Sequence, residues 1–585
     1  MVSSVEGMSG AGESPRRRFG AQEPAVREML AALHKAQVAR RIWGRDASLW
    51  TDSRAEVAAI EDRLGWLDLP TAMPIEVPRL QALRAELVAA GFRQAVLLGM
   101  GGSSLSAEVY RETLGVAEGC LDLSVLDTTD PAEILRIDEG LNLAETVFIV
   151  ASKSGTTAET MAQYQYFRER CEVALGVSAW ARHFIAITDA GNSLAALAQE
   201  SGFRALYLNP ADVGGRFSAL SFFGLVPAAL LGVDIDRLLE HAAQMADACH
   251  LTADKGEHPA MLLGAAMGAL ASATAPRRDK LTLLTSPRLA SFGPWVEQLI
   301  AESTGKDGKG IVPVVGEHLG PRDPLGSDRF WVYLRLAGDD CTATDAFLER
   351  LVEADQPVMV FTLTDPYDLA AEFFRWEFAT AVAGHCLSLN PFNQPDVDSA
   401  KRQARQALDR YERTRSLPEE APVLRDGSLS VGGPALDAST LPAYLAAFLR
   451  LTQPGDYAAL HAYVERSPEH AALLGDIAAI IRGKLGIPVT VGFGPRFLHS
   501  TGQLHKGGAN KVLVVQITQA EARDLPIPGA SYSFGILKRA QALGDMASLR
   551  EAGRRAVRVQ IGTDVREGLD ALQRALTEAV TLLRF

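Results

Sequence analysis

Between residues 94 and 209 five short apolar runs, QAVLLGM, DLSVLDT, TVFIVAS, HFIAITD and ALYLN, recur with helix-length polar segments between them. A strand that is apolar at nearly every position has no face to offer water, so it must be covered on both sides, and the intervening helices supply that cover. The alternation predicts a doubly wound, mostly parallel α/β sheet. A second set after Pro276, KLTLLTS, GIVPVVG, FWVYLRL and PVMVFTL, predicts a second sheet of the same class. The stretch 415–440, rich in Pro, Gly and acidic residues, reads as a loop and a boundary. Beyond it Ser467-Pro468 marks a helix start, IPVTVGFG and KVLVVQIT read as strands, and 564–583 is an amphipathic helix. Ahead of the first sheet, apolar spacing predicts helices around 25–41 and 53–64. The expected division is a helical segment (1–75), two sheet domains (76–255 and 256–415) and an additional carboxyl-terminal α/β region (416–585), since 585 residues exceed one core.

A formal net charge of -13 argues against a general nucleic-acid or anionic-membrane binder, because those surfaces demand a positive field. An anionic substrate must therefore be captured locally. Cys120, Cys171, Cys249, Cys341 and Cys386 form no CxxC pair, which disfavours a disulfide framework and a structural zinc site. The opening residues have no apolar signal core, and the expected compartment is the cytoplasm. The apolar stretches 220–233 and 261–270 are too short to span a bilayer and fit buried helices, with Gly264 and Gly268 marking close helix packing.

Four clusters carry chemistry. In LLGMGGSSLSAEVY a strand ends in Gly99, Gly101 and Gly102 before Ser103 and Ser104 open a helix, a geometry that suits an anion at a helix amino terminus. Alone it also fits a tight structural turn, or a dinucleotide fingerprint with Asp127 as the ribose acid, although Ser104 stands where that fingerprint wants its third glycine. TVFIVASKSGTTAET decides between these readings. Ser152, Ser154, Thr156 and Thr157 with Lys153 crowd donors between a strand and a helix, as a phosphate monoester requires; helix capping accounts for only one or two of them. In VGGRFS, Gly214 and Gly215 allow a close approach that puts Arg216 toward a cleft, though a lone arginine is more often a surface charge. In WVEQLIAESTGKDGKG, Gln298 and Glu302 lie four residues apart on one face of a helix ending near Gly305; spacing alone leaves that glutamate merely solvated.

Taken together, GMGGSSL, VLDTTDP, SKSGTTAET, VGGRFS, QLIAESTGK and NPFNQPDVDSAK, in that order over 94–401, resemble the glucose-6-phosphate isomerase family, whose two domains are sugar-isomerase sheets. With HSTGQLHKGG and the helical preface, the chain looks closest to the isomerase half of fused transaldolase/isomerase proteins; no transaldolase barrel has room before the first sheet. The resemblance implies a metal- and cofactor-independent interconversion of glucose 6-phosphate and fructose 6-phosphate through a cis-enediolate, in a homodimer. It implies that Ser152, Lys153, Ser154, Thr156 and Thr157 bind the phosphate with Gly102, Ser103 and Gln298 nearby. Glu302 matches the base, Arg216 the oxyanion-stabilising cation, and Lys401 the lysine that assists ring opening. The family's ring-opening histidine sits in an NGQH loop, which this chain replaces by GEHLGPRDPLGSD. His318 and His385 lie in that interval without the motif. The nearest echo, TGQLH, nominates His505, with His499 as the other candidate.

Four other readings compete. A glucosamine-6-phosphate synthase needs an amino-terminal cysteine, and the chain begins MVSSVEG. A bifunctional phosphoglucose/phosphomannose isomerase differs only in pocket shape. A sugar-phosphate-binding regulator has no need of Glu302, Arg216 and Lys401 together, and a nicotinamide oxidoreductase leaves the hydroxyl loop unexplained.

Overall fold

The structure is a computed structural model that describes residues 15–250, 258–272, 277–317, 319–320, 323–418 and 420–583. His318 lies outside the described residues. A three-residue strand β1 (Arg16–Arg18) comes first and belongs to the second sheet. The first sheet contains β2 (Gln94–Gly99), β3 (Asp122–Leu126), β4 (Thr146–Ala151), β5 (Phe184–Asp189) and β6 (Ala205–Asn209). Its order is β3-β2-β4-β5-β6 and every neighbouring pair is parallel. The winding direction reverses between β2 and β4, and in sheets of this kind the crevice beyond the strand ends at such a reversal is where ligands bind.

The second sheet contains β7 (Lys280–Thr285), β8 (Val312–Val314), β9 (Arg329–Leu336) and β10 (Val358–Leu363), ordered β1-β10-β9-β7-β8. Only β1 runs antiparallel, Arg16 pairing with Val360. Three arginines carry no apolar pattern, which hides this strand in the sequence; on an exposed edge their charge suits them to block further pairing.

The third sheet contains β11 (Leu424–Asp426), β12 (Leu429–Gly432), β13 (Tyr457–Tyr463), β14 (Val489–Phe493), β15 (Val512–Thr518) and β16 (Arg555–Gln560). Its order is β11-β12-β16-β15-β13-β14, parallel from β16 to β14 and antiparallel in the β11–β12 hairpin and its pairing with β16. The stretch expected to be loop thus holds a hairpin. It turns after Asp426 at Gly427, whose φ of 57° is the left-handed conformation an Asp-Gly turn uses. The fold class is the one the apolar runs predict, α/β with doubly wound, mostly parallel sheets.

One hydrophobic core joins the amino-terminal helices to the first two sheets. Trp50 Nε1 donates to the Ala381 carbonyl at 2.9 Å and Trp43 Nε1 to that of Cys249 at 2.8 Å. The helix Pro259–Ser272 crosses Asp368–Cys386 so closely that a Cβ on Gly268 would stand 2.2 Å from that of Cys386. No helix among the described residues is long and apolar enough to cross a membrane.

The third sheet is fastened onto the carboxyl ends of the first. Glu108 of the helix Leu105–Leu114 accepts from Arg466 at 2.6 Å and also pairs with Arg496. Asp130, which caps the helix Pro131–Glu139, accepts from Lys538 at 2.6 Å. Here Lys538 lies on the helix Phe534–Glu551, whose Gly544 packs directly on Ala400 and Ala404 of the helix Val397–Thr414.

Candidate active site

Two loops leave the first sheet at its reversal point. After β2 the chain turns through Gly101, with φ of 55°, and Gly102, where a Cβ would lie 2.0 Å from the Gly215 carbonyl oxygen. A side chain at Gly102 would therefore push apart the loop that carries Arg216. After β4 comes the hydroxyl loop, which is internally braced. Ser152 is buried, lies 2.9 Å from the Thr157 hydroxyl and accepts from the Gly155 amide at 3.2 Å. Asn192 Nδ2 donates to the Lys153 carbonyl at 2.9 Å, and Ser193 Oγ to that of Gly155 at 3.0 Å. Thr157 holds the N-cap position of the helix Ala158–Leu175 without a side-chain capping bond, so the bland capping role is not what occupies it.

Helix Phe292–Thr304 brings Gln298 and Glu302 to the same opening. A cleft of about 380 Å³ results, lined by Gly102, Ser103, Lys153, Ser154, Thr157, Arg216, Gln298 and Glu302, together with His499. Lys153 Nζ is 2.5 Å from Asp189 Oδ2 and 2.8 Å from the Ala211 carbonyl. Arg216 Nη1 is 3.0 Å from Glu302 Oε2, and the rest of the guanidinium is fully occupied by Ser303 Oγ, Gln394 Oε1 and the carbonyls of Pro391 and Asn393. Those acceptors hold its plane fixed. Burial raises the pKa of Glu302, an effect that Arg216 and His499 partly offset; burial also lowers that of Arg216. Such a pair is poised to exchange a proton with a ligand beside a fixed positive charge.

The third sheet contributes the histidine. His499 ends the turn Arg496–His499 and sets Nε2 2.8 Å from Glu159 Oε1, while its carbonyl accepts from Gln298 Nε2 at 2.8 Å. Glu159 also accepts from Gln541 Nε2 at 2.6 Å. Burial pushes its carboxyl up, but the charge and hydrogen bond of His499, with the charge of Lys401, bring its pKa below the ordinary value. An ionised Glu159 is an acceptor only, so it favours the imidazole tautomer that carries its proton on Nε2.

Four sequence-predicted residues fall outside the cleft wall. Ser152 lies beneath the loop, and Thr156 is exposed, donating to Ser154 Oγ at 3.1 Å. The side chain of Lys401 is 63% exposed and reaches Asp398 at 3.6 Å. His505 is a correction: the short helix Gly502–Gly507 turns it into the third sheet's interior, where Nδ1 meets His461 Nε2 at 3.0 Å, and burial drives its pKa well down. His385 bonds the Leu49 carbonyl instead. Sequence reasoning missed Asp189, Gln394 and Glu159, all inside motifs already singled out, and Arg63, which no motif marks. A larger cavity of about 640 Å³ shares Gly101 with the cleft but contains none of the hydroxyl loop, so chemistry and not volume selects the site.

Proton traffic on a small phosphorylated polyol, conducted between doubly wound sheets, is the business of the sugar-phosphate isomerases. The family model described as phosphoglucose isomerase matches residues 87–312. A probable glucose-6-phosphate isomerase of Haloarcula marismortui is 34% identical over 354 residues, covering 54% of this chain and 78% of that protein. One of Haloquadratum walsbyi is 35% identical over 346 residues, covering 54% and 79%. Among solved structures, a hypothetical protein from Thermus thermophilus superposes with a TM-score of 0.55 at 25% identity, over 67% of this chain and 99% of that one. The chain belongs to the glucose-6-phosphate isomerase family.

Proposed function

We propose that the reversible conversion of glucose 6-phosphate to fructose 6-phosphate, the family's activity, runs in this cleft as follows. Lys153, Ser154 and Thr157 with the helix amino terminus behind them hold the phosphate, and Gly102 and Ser103 line the sugar's path. His499 moves a proton between the anomeric oxygen and the ring oxygen, so the ring C–O bond breaks as the carbonyl forms; Glu159 supports the positive charge that develops. Lys401 acts on this step through its charge at Glu159. Glu302 then takes the C2 proton, electrons pass through the cis-enediolate, and the same carboxyl returns the proton to C1. Arg216 stabilises the enediolate oxygen with a charge already held in place, and Gln298 orients that end of the sugar.

The observation that carries this reading is the Arg216–Glu302 pair at 3.0 Å in the same cleft as the hydroxyl loop. The test is turnover of fructose 6-phosphate in the presence of a chelator, with His499→Asn alongside. The wild-type chain is expected to form glucose 6-phosphate. The variant is expected to lose ring opening while still exchanging a C1 proton of open-chain fructose 6-phosphate. Absence of wild-type turnover would remove the assignment, and full activity in the variant would remove His499 from it. We also propose a cytoplasmic homodimer, with domain boundaries near residues 75, 255 and 415; all five cysteines are free, as a reducing compartment keeps them.

A further inference from the structure

At neutral pH a phosphate monoester carries between about one and a half and two negative charges, and that is the only net charge a hexose phosphate brings to the cleft. Yet the cations already discussed are committed elsewhere. Lys153 is neutralised by Asp189 at 2.5 Å, and Arg216 by Glu302 at 3.0 Å within a full set of acceptors. A third basic side chain lines the same cleft: Arg63, from the amino-terminal helical segment. It forms no ion pair among the described residues, and its guanidinium donates to the neighbouring Asp62 carbonyl at 2.7 Å.

Its backbone is not left to chance. Leu64 forms a β-bridge with Val213, and the Gly65 amide donates to the Asp212 carbonyl at 3.0 Å, which ties this segment to the loop leading into Arg216. The Arg63 Cδ stands 3.7 Å from the place a Gly214 Cβ would occupy. Its charge acts on Asp189, beside the hydroxyl loop, and on Arg216, both of which line the same cleft.

We propose that Arg63 is a phosphate-binding residue, the uncompensated cation by which this cleft selects a phosphorylated sugar over a neutral one. The inference rests on the reading of the cleft given above and adds to it a residue from outside both sheets. Lys153 keeps its place at the phosphate with its charge offset by Asp189, and Arg63 supplies the net charge.

The test uses the full chain carrying Arg63→Gln, with Arg63→Met, which keeps the stem packed on Gly214, as the second charge-free variant should the first fail to fold. Inorganic phosphate serves as the probe through its inhibition constant against fructose 6-phosphate. Losing one charge-assisted contact is expected to raise KM for fructose 6-phosphate and the inhibition constant of phosphate in parallel, by about tenfold to a hundredfold. The rise in KM should account for most of the loss in kcat/KM and should make KM less sensitive to ionic strength. An unchanged phosphate constant in either folded variant, beside a wild-type protein that phosphate does inhibit, would overturn the role of Arg63 and leave the cleft standing. A raised KM with an unchanged phosphate constant would also overturn it, by placing Arg63 on the sugar. A wild-type protein that neither turns over nor responds to phosphate would bring down the cleft assignment itself.

Discussion

Glu302 and Arg216 set each other's chemistry. Removal from water raises the carboxyl's pKa, and the guanidinium 3.0 Å away pulls it back. Because the base acts in its ionised form, kcat/KM must fall as pH drops through that raised pKa. Replacing Arg216 by Gln removes the lowering influence, so the acidic limb of the profile is expected to move to higher pH, while kcat falls by about 10²–10³ as for loss of a preorganised charge. Glu302→Gln keeps the shape and loses the base, with an expected loss of about 10²–10⁴ in kcat at nearly constant KM. A profile whose acidic limb stays put in Arg216→Gln would separate the two residues. These two were legible only through the ordered set of motifs that resembles the family, since the glycine pair alone leaves Arg216 a surface charge and the helix face alone leaves Glu302 a solvated acid. His499 was harder to choose over His505, since six residues apart in one loop and short helix they face opposite ways, and only the turn at Arg496–His499 decides which meets the cleft. Arg63 was invisible because its function depends on a bridge between Leu64 and Val213 that joins segments far apart in sequence.

The helix Phe534–Glu551 reaches across elements. Lys538, Gln541 and Asp545 lie three and four residues apart and so share a face; they meet Asp130, Glu159 and the Lys506–His461 pair respectively. Gln541 Nε2 shares Glu159 Oε1 with His499 Nε2, which makes a helix of the third sheet part of the support beneath the histidine. Gln541→Leu takes one donor from a buried carboxylate. The expected result is a kcat lower by about tenfold to a hundredfold with KM for fructose 6-phosphate little moved. A parallel rise in KM would instead mean that the whole cleft had shifted, and a kcat within experimental error of wild type would detach this helix from the chemistry. None of this could be read from sequence: a glutamine on a helix is ordinarily solvated, and the partner lies 382 residues away.

Across the molecule, the first two sheets were legible because strands buried on both faces must be apolar throughout, while β13 and β16 were not, since YAALHAY and RAVRVQ interleave polar and charged residues with apolar ones. His461 shows why. It is buried on β13 with Nδ1 3.2 Å from Asp545, so a polar residue sits in a strand core that its partner makes habitable. The family model ends at residue 312, yet His499 comes from the third sheet, which means the region beyond that model completes the site. Every cleft residue invoked here, from Arg63 through Lys153, Arg216 and Glu302 to His499, belongs to one chain. The prediction is that these groups suffice for the chemistry without a second copy. Specific activity is expected to stay constant on dilution through the range where light scattering or sedimentation reports dissociation of the proposed homodimer. If activity instead falls in step with the dimer fraction, a neighbouring copy must contribute a group or a constraint that the single chain lacks.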